Sequence, residues 1–170
     1  MTMVLGTVEQ RRRADDVPVG AGDVATIRVI VVDGHPVTRW GLGQVAESQS
    51  DMQVVGEAGS AAEALALTAS LSPDVVTIGI SLPGRDGLDL ARELRDRYRD
   101  LGIVILTAQG EDDSLFRALD SGASAFVSKE ACAAEILGAI RHSAVAASSL
   151  ARTVSPRHCG GALLHRSGRC

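Results

Sequence analysis

From Thr26 onward the chain alternates, five times in succession, between a short apolar run and a longer helical pattern. Ile27–Val32 is an unbroken, mostly β-branched run. Pro36–Glu47 after it is helical, with Pro36 in the first turn, where its missing N–H costs nothing. Met52–Val55 reads as a short second strand. Ser60-Ala61-Ala62-Glu63 has the form of a capping box and opens an Ala/Leu-rich helix that ends near Leu71. Val75–Ile78 is the third strand, and Asp86 and Asp89 stand near the start of a helix through Tyr98, where negative charge meets the positive end of the helix dipole. Ile103–Leu106, a helix over Asp112–Asp120, Ala125–Ser128 and a last helix over Ala131–Ala147 complete the series. Strict alternation with apolar strands predicts an α/β fold, a doubly wound five-stranded parallel sheet with helices on both faces.

Composition agrees. Of 170 residues 45% are hydrophobic, yet Phe, Tyr and Trp total four, so the core must be built from Ala, Val, Leu and Ile. No apolar run approaches the roughly 20 residues that span a bilayer, and Met1–Gln10 lacks the apolar segment of a secretory signal. A cytoplasmic location without membrane contact is expected. Cys132, Cys159 and Cys170 are an odd count at irregular positions, which suits a reducing compartment rather than a disulfide framework. Cys132 falls in a helical pattern and is expected to be at least half-buried.

Charge divides the chain. Residues 1–25 mix Gly, Arg11-Arg12-Arg13 and Asp15-Asp16 without periodicity and read as a flexible leader; 26–148 read as the folded domain and 149–170 as a basic tail. Residues 26–150 carry a net charge of −7, whereas 151–170 carry four arginines and no acid. An acidic body argues against a direct grip on nucleic-acid phosphates, and the tail reads as solvated. His158, Cys159, His165 and Cys170 match no compact metal-ligand spacing, and no Gly-x-x-x-x-Gly-Lys-Ser/Thr loop follows a strand. Neither a metal site nor nucleotide hydrolysis is expected.

In open parallel sheets, ligands sit beyond the carboxyl ends of the strands. Those ends hold Asp33 and Gly34, then Gly79, then Thr107, then Lys129.

The motifs around these positions resemble the receiver domains of NarL/FixJ-type response regulators. They are Val31-Val32-Asp33-Gly34-His35-Pro36-Val37 with Arg39-Trp40-Gly41-Leu42, Pro83-Gly84-Arg85-Asp86-Gly87-Leu88, Leu106-Thr107-Ala108, and Ala118–Lys129, in that order over about residues 26–148. The resemblance implies a flavodoxin/CheY-like strand order, 2-1-3-4-5. It also implies a site in which two adjacent acids and an acceptor Asp hold Mg²⁺, the acceptor takes a phosphoryl group, and a Thr and a Lys bind it. An in-line transfer needs that oxygen nucleophile and those cations. Asp33, Thr107 and Lys129 match, and Phe126 matches the switch aromatic. Gly34 replaces the second acid and Gly79 the acceptor. No catalytic residue is left, Mg²⁺ binding is expected to be weak or absent, and Lys129 faces Asp33 alone. A direct Lys129–Asp33 ion pair is one expected consequence; the alternative is that both groups are solvated in a shallow crevice.

Function then divides two ways. One reading is the regulatory domain of an atypical, phosphorylation-independent transcription regulator, a non-enzyme acting through homodimerisation or through a small-molecule ligand or regulatory protein. The alternative is a stand-alone interaction module with no DNA link. Val154-Ser155-Pro156-Arg157 resembles the opening of a helix-turn-helix domain, but His158–Cys170 lacks the periodicity and length to continue it. DNA contact would need such a domain elsewhere. Trp40 and Phe116 are candidate interface aromatics. On the first helix the apolar stripe is expected along Val37, Gly41 and Val45, with Trp40 off that line.

Overall fold

The computed structural model describes residues 26–108 and 120–154, with side chains in the last helix described through Ala147. Residues 1–25, the segment expected as a helix over Asp112–Asp120 (all but Asp120, and with it Phe116), and the tail beyond Val154 lie outside the described residues.

The apolar runs form the strands. In chain order the elements are β1 (Ile27–Val32), α1 (Pro36–Glu47), β2 (Met52–Ala58), α2 (Ala61–Leu71), β3 (Val75–Gly79), β4 (Ser81–Leu82), β5 (Arg85–Asp86), α3 (Gly87–Arg97), β6 (Gly102–Thr107), β7 (Ala125–Ser128) and α4 (Ala133–Val154). Five parallel strands pair in the order β2-β1-β3-β6-β7, and β4 and β5 form a separate antiparallel ladder of two residues each. With that small ladder set aside, the order is the expected 2-1-3-4-5.

Successive strand residues point to opposite faces, and both faces are buried. Ile30, Val32, Val76, Ile78, Ile103 and Ile105 face α2 and α3. Val29, Val31, Val75, Val104 and Leu106 face α1 and α4. This two-sided burial is why the strands read as continuous apolar runs rather than alternating ones.

The helix starts follow the side chains predicted to cap them. Ser60 accepts a hydrogen bond from the Glu63 amide at 3.4 Å, and Glu63 reaches back to the Gly59 amide at 2.8 Å. Asp86 caps α3 by accepting from the Leu88 amide at 2.8 Å. Three expectations are corrected. The buried positions of α1 are Leu42, Gly43 and Ala46, whereas Val37 is 81% exposed. The face of α1 that meets the core is the one carrying Leu42 and Ala46, with Val45 packed against the same cluster, and Val37 in the first turn lies outside it. Cys132 is exposed, because α4 begins after it at Ala133. The last helix also runs to Val154, past Ala147.

Far from the strand ends, Arg141 of α4 grips the loop between α1 and β2. Its Nε meets Asp51 Oδ2 at 2.6 Å, and Nη2 meets Asp51 Oδ1 at 2.8 Å and Gln49 Oε1 at 3.1 Å. The hydrogen bond from Arg141 holds the Asp51 carboxyl below its ordinary value of 3.8. A carboxyl depressed in the folded state stabilises the fold fully above its unfolded value, and that contribution is lost as pH falls through the folded one. Arg141→Ala should therefore lower the urea midpoint at neutral pH, and the gap from wild type should narrow progressively as pH falls below 3.8. A gap that stays constant into acid would mean the clamp does not act through the Asp51 charge.

Candidate functional site: a carboxylate–lysine pair at the strand ends

β1 ends in Asp33, whose amide still bonds the Ala58 carbonyl at 3.1 Å and so continues the sheet by one residue. The carboxylate that follows is 1% exposed. Its Oδ1 accepts the His35 amide at 2.8 Å, an Asx turn that leads the chain into α1, and the exposed His35 ring places Nδ1 3.3 Å from the same oxygen. Arg39, one turn into α1, donates to the Asp33 main-chain carbonyl at 2.7 Å while its Nε lies 3.5 Å from Glu57 Oε2 on β2. The backbone of Asp33 is thus held from the side opposite its carboxylate.

β7 delivers the counter-charge. The Lys129 amide donates to the Thr107 carbonyl at 2.7 Å, and Lys129 Nζ lies 2.6 Å from Asp33 Oδ2. The ammonium approaches that oxygen outside the angular range of a well-formed hydrogen bond, so the attraction is chiefly coulombic. The Lys129 side chain is 20% exposed, which places the pair at the mouth of the sheet rather than inside it.

Gly79 makes this contact possible. A Cβ built on Gly79 would lie 2.6 Å from Asp33 Oδ2, 3.1 Å from its Cγ and 3.4 Å from Lys129 Nζ. Gly79 does not have positive φ. The backbone would accept any residue there, and what excludes a side chain is the ion pair itself. Gly34 has a second neighbour of this kind: a Cβ at 34 would lie 2.9 Å from the Ser81 carbonyl oxygen and 3.1 Å from Pro83 Cδ. The chain between β3 and β5 closes onto Gly34 as a strap, and a second acid would have to push main chain aside.

The structure brings Asp33, Gly79 and Lys129 together and sets Gly34 beside them under the strap. The Thr107 hydroxyl turns away, donating to the Ala108 carbonyl at 2.9 Å. Phe126 is half-buried and packs on the core cluster shared with α2 and α3. Trp40 is 64% exposed. The roles of His35 and Arg39 are not evident from the motif that contains them. An aspartate followed two residues on by a free amide is an Asx-turn signal that sequence carries, whereas nothing in the spacing links Arg39 to the Asp33 carbonyl. No group of three or more His, Cys, Asp or Glu residues able to hold a metal ion occurs among the described residues.

The family model of the response regulator receiver domain matches residues 29–141, and the chain belongs to that family. It is 36% identical over 115 residues to the transcriptional regulatory protein LiaR of Bacillus subtilis, covering 68% of this chain and 54% of that protein. It is 37% identical over 115 residues to the DNA-binding transcriptional activator DevR/DosR of Mycobacterium tuberculosis, covering 68% of this chain and 53% of that one. The chain therefore spans about half the length of the curated relatives it matches. Among solved structures, the signal receiver domain of NarL from Mycobacterium tuberculosis superposes with a TM-score of 0.67 at 32% identity, over 71% of this chain and 97% of that one.

Inserting a methyl group against Asp33 should be costly for a stated reason. Gly79→Ala should destabilise by about 1–3 kcal/mol, the usual cost of overpacking, measured by urea denaturation. In an Asp33→Ala background the same change should cost little. Equal costs in both backgrounds would show that the ion pair is not what excludes the side chain.

Proposed function

We propose that this chain is the receiver unit of a transcription regulator of the two-component type that works without aspartyl phosphorylation. One observation carries the reading. Where the resemblance puts the acceptor aspartate stands Gly79, and the volume its side chain would enter is taken by the Asp33–Lys129 pair. In a phosphorylated receiver the lysine answers a charge that arrives with the phosphoryl group. Here it is already answered by a carboxylate built into β1.

The donor set points the same way. Mg²⁺ favours carboxylates plus substrate phosphates, and Asp33 is committed to Lys129 and His35. Mg²⁺ binding is accordingly weak or absent, and the chain is not an enzyme. Regulation of transcription is supported by the names of its relatives. DNA contact in this reading belongs to a helix-turn-helix unit outside the receiver. The receiver contributes by homodimerising or by binding a ligand or regulatory protein.

The direct test is to incubate the purified chain with Mg²⁺ and acetyl phosphate or phosphoramidate and record intact mass and sedimentation. The expected outcome is no phosphoryl adduct and an oligomeric state indifferent to the donor. A hydroxylamine-labile adduct mapped to a carboxylate would sink the reading.

A further inference from the structure

Lys129 belongs to two places at once. Its ammonium meets Asp33, and its side chain also lines a groove of about 280 Å³ between α1 and α4. The groove is walled by Gly41, Leu42 and Val45 of α1 and by Ile136 of α4, with Leu106 of β6 also lining it. Thr38 adds a hydroxyl, and among the described residues Lys129 is the one ionisable side chain in the lining. This is the pattern of a small-ligand site just below the usual size range, apolar walls with few polar groups to fix orientation.

We propose that this groove binds a small amphipathic carboxylic acid, its apolar body against Leu42, Val45 and Ile136 and its carboxylate on Lys129. Charge selects the class. An ammonium has three N–H groups, and among the described residues the ion-pair partner of Lys129 is Asp33. Ala131 and Ala133, just before and at the start of α4, also line the groove, but Glu135 in the first turn of α4 offsets the positive potential of its N-terminal end, so Lys129 carries the charge selection. A cation would meet Lys129 as a like charge, and a neutral ligand could accept a hydrogen bond from the ammonium but would gain no ionic attraction. Gly41 supplies the room: a Cβ there would meet nothing within 4 Å.

The consequence is regulatory. A ligand carboxylate on Lys129 shares or takes the counter-charge of Asp33, so occupancy of the groove is felt at the strand ends without any covalent change. The proposal rests on the phosphorylation-free reading in one respect, since a phosphoryl group at the crevice would claim the same lysine.

Trp40, the only tryptophan of the chain, stands exposed beside Gly41 and supplies the readout. The full chain is titrated with sodium octanoate below its micellar concentration, with octan-1-ol and octylammonium as neutral and cationic counterparts, following Trp40 fluorescence. Octanoate should bind saturably and about tenfold more tightly than octanol, the margin of one hydrogen bond to a charged group. Lys129→Met should reduce octanoate to the octanol level. Gly41→Leu should abolish both, and it should fold, since the space is open and leucine favours a helix over glycine. Octanol binding as tightly as octanoate, or octanoate binding that survives Gly41→Leu, would overturn the proposal. So would a wild-type dimer that Gly41→Leu converts to monomer, because the groove would then hold a second copy. Acetyl phosphate labelling of the same sample separates the two ideas: a phosphoryl adduct defeats the phosphorylation-free reading, whereas the octanoate titration alone decides the ligand.

Discussion

A carboxylate withdrawn from water needs a counter-charge, because an unpaired ion in a low-dielectric site costs several kcal/mol (roughly, after relaxation). Asp33 is such a group, and the strand ends are arranged around that need. β7 brings Lys129 to Oδ2, the turn into α1 brings the His35 amide to Oδ1, and Arg39 fixes the main chain behind it. Lys129 follows β7 while His35 and Arg39 belong to α1 and its cap, so the arrangement exists only when β1, α1 and β7 are assembled. The parallel sheet, which orders its strands so that their carboxyl ends share one edge, is what makes that assembly possible.

The two glycines are better understood as consequences of this closure than as simple losses. Gly79 leaves the line between Asp33 and Lys129 open, and Gly34 lets the Ser81–Pro83 strap settle against the end of β1. Neither position needs glycine for its backbone angles. Both are places where another part of the molecule has come too close for a side chain. A side chain added at 79 meets the Asp33 carboxylate and the Lys129 ammonium rather than an empty pocket.

Much of this was legible in the sequence, for reasons that differ by element. Strands buried on both faces must be apolar throughout, so Ile27–Val32 and Ile103–Leu106 declare themselves, and Ser60 and Asp86 declare their helices because a cap is a local event. The positions of Asp33, Gly79 and Lys129 followed from strand ends, and their contact followed from counting charges. Other features depend on packing that no local pattern records. Which face of α1 packs on the core, leaving Val37 exposed, depends on neighbours distant in sequence, and the Arg141–Asp51 clamp joins residues 90 apart in the chain. The strap over Gly34 arises from the two-residue ladder β4–β5, too short to leave a periodicity.

Lys129 ties these observations into one argument. A receiver must couple a chemical event at the strand ends to the helices that face partners, and the coupling element has to touch both. Among the described residues Lys129 pairs with Asp33 and also lines the groove between α1 and α4. In the proposed reading, where the charge that Lys129 answers is the fixed Asp33 carboxylate, a ligand in the groove would reach the strand ends through Lys129. The exposed Val37 and Trp40 lie on α1, one of the walls of that groove, so a change felt in the groove and a change on that exposed surface would be carried by a single helix.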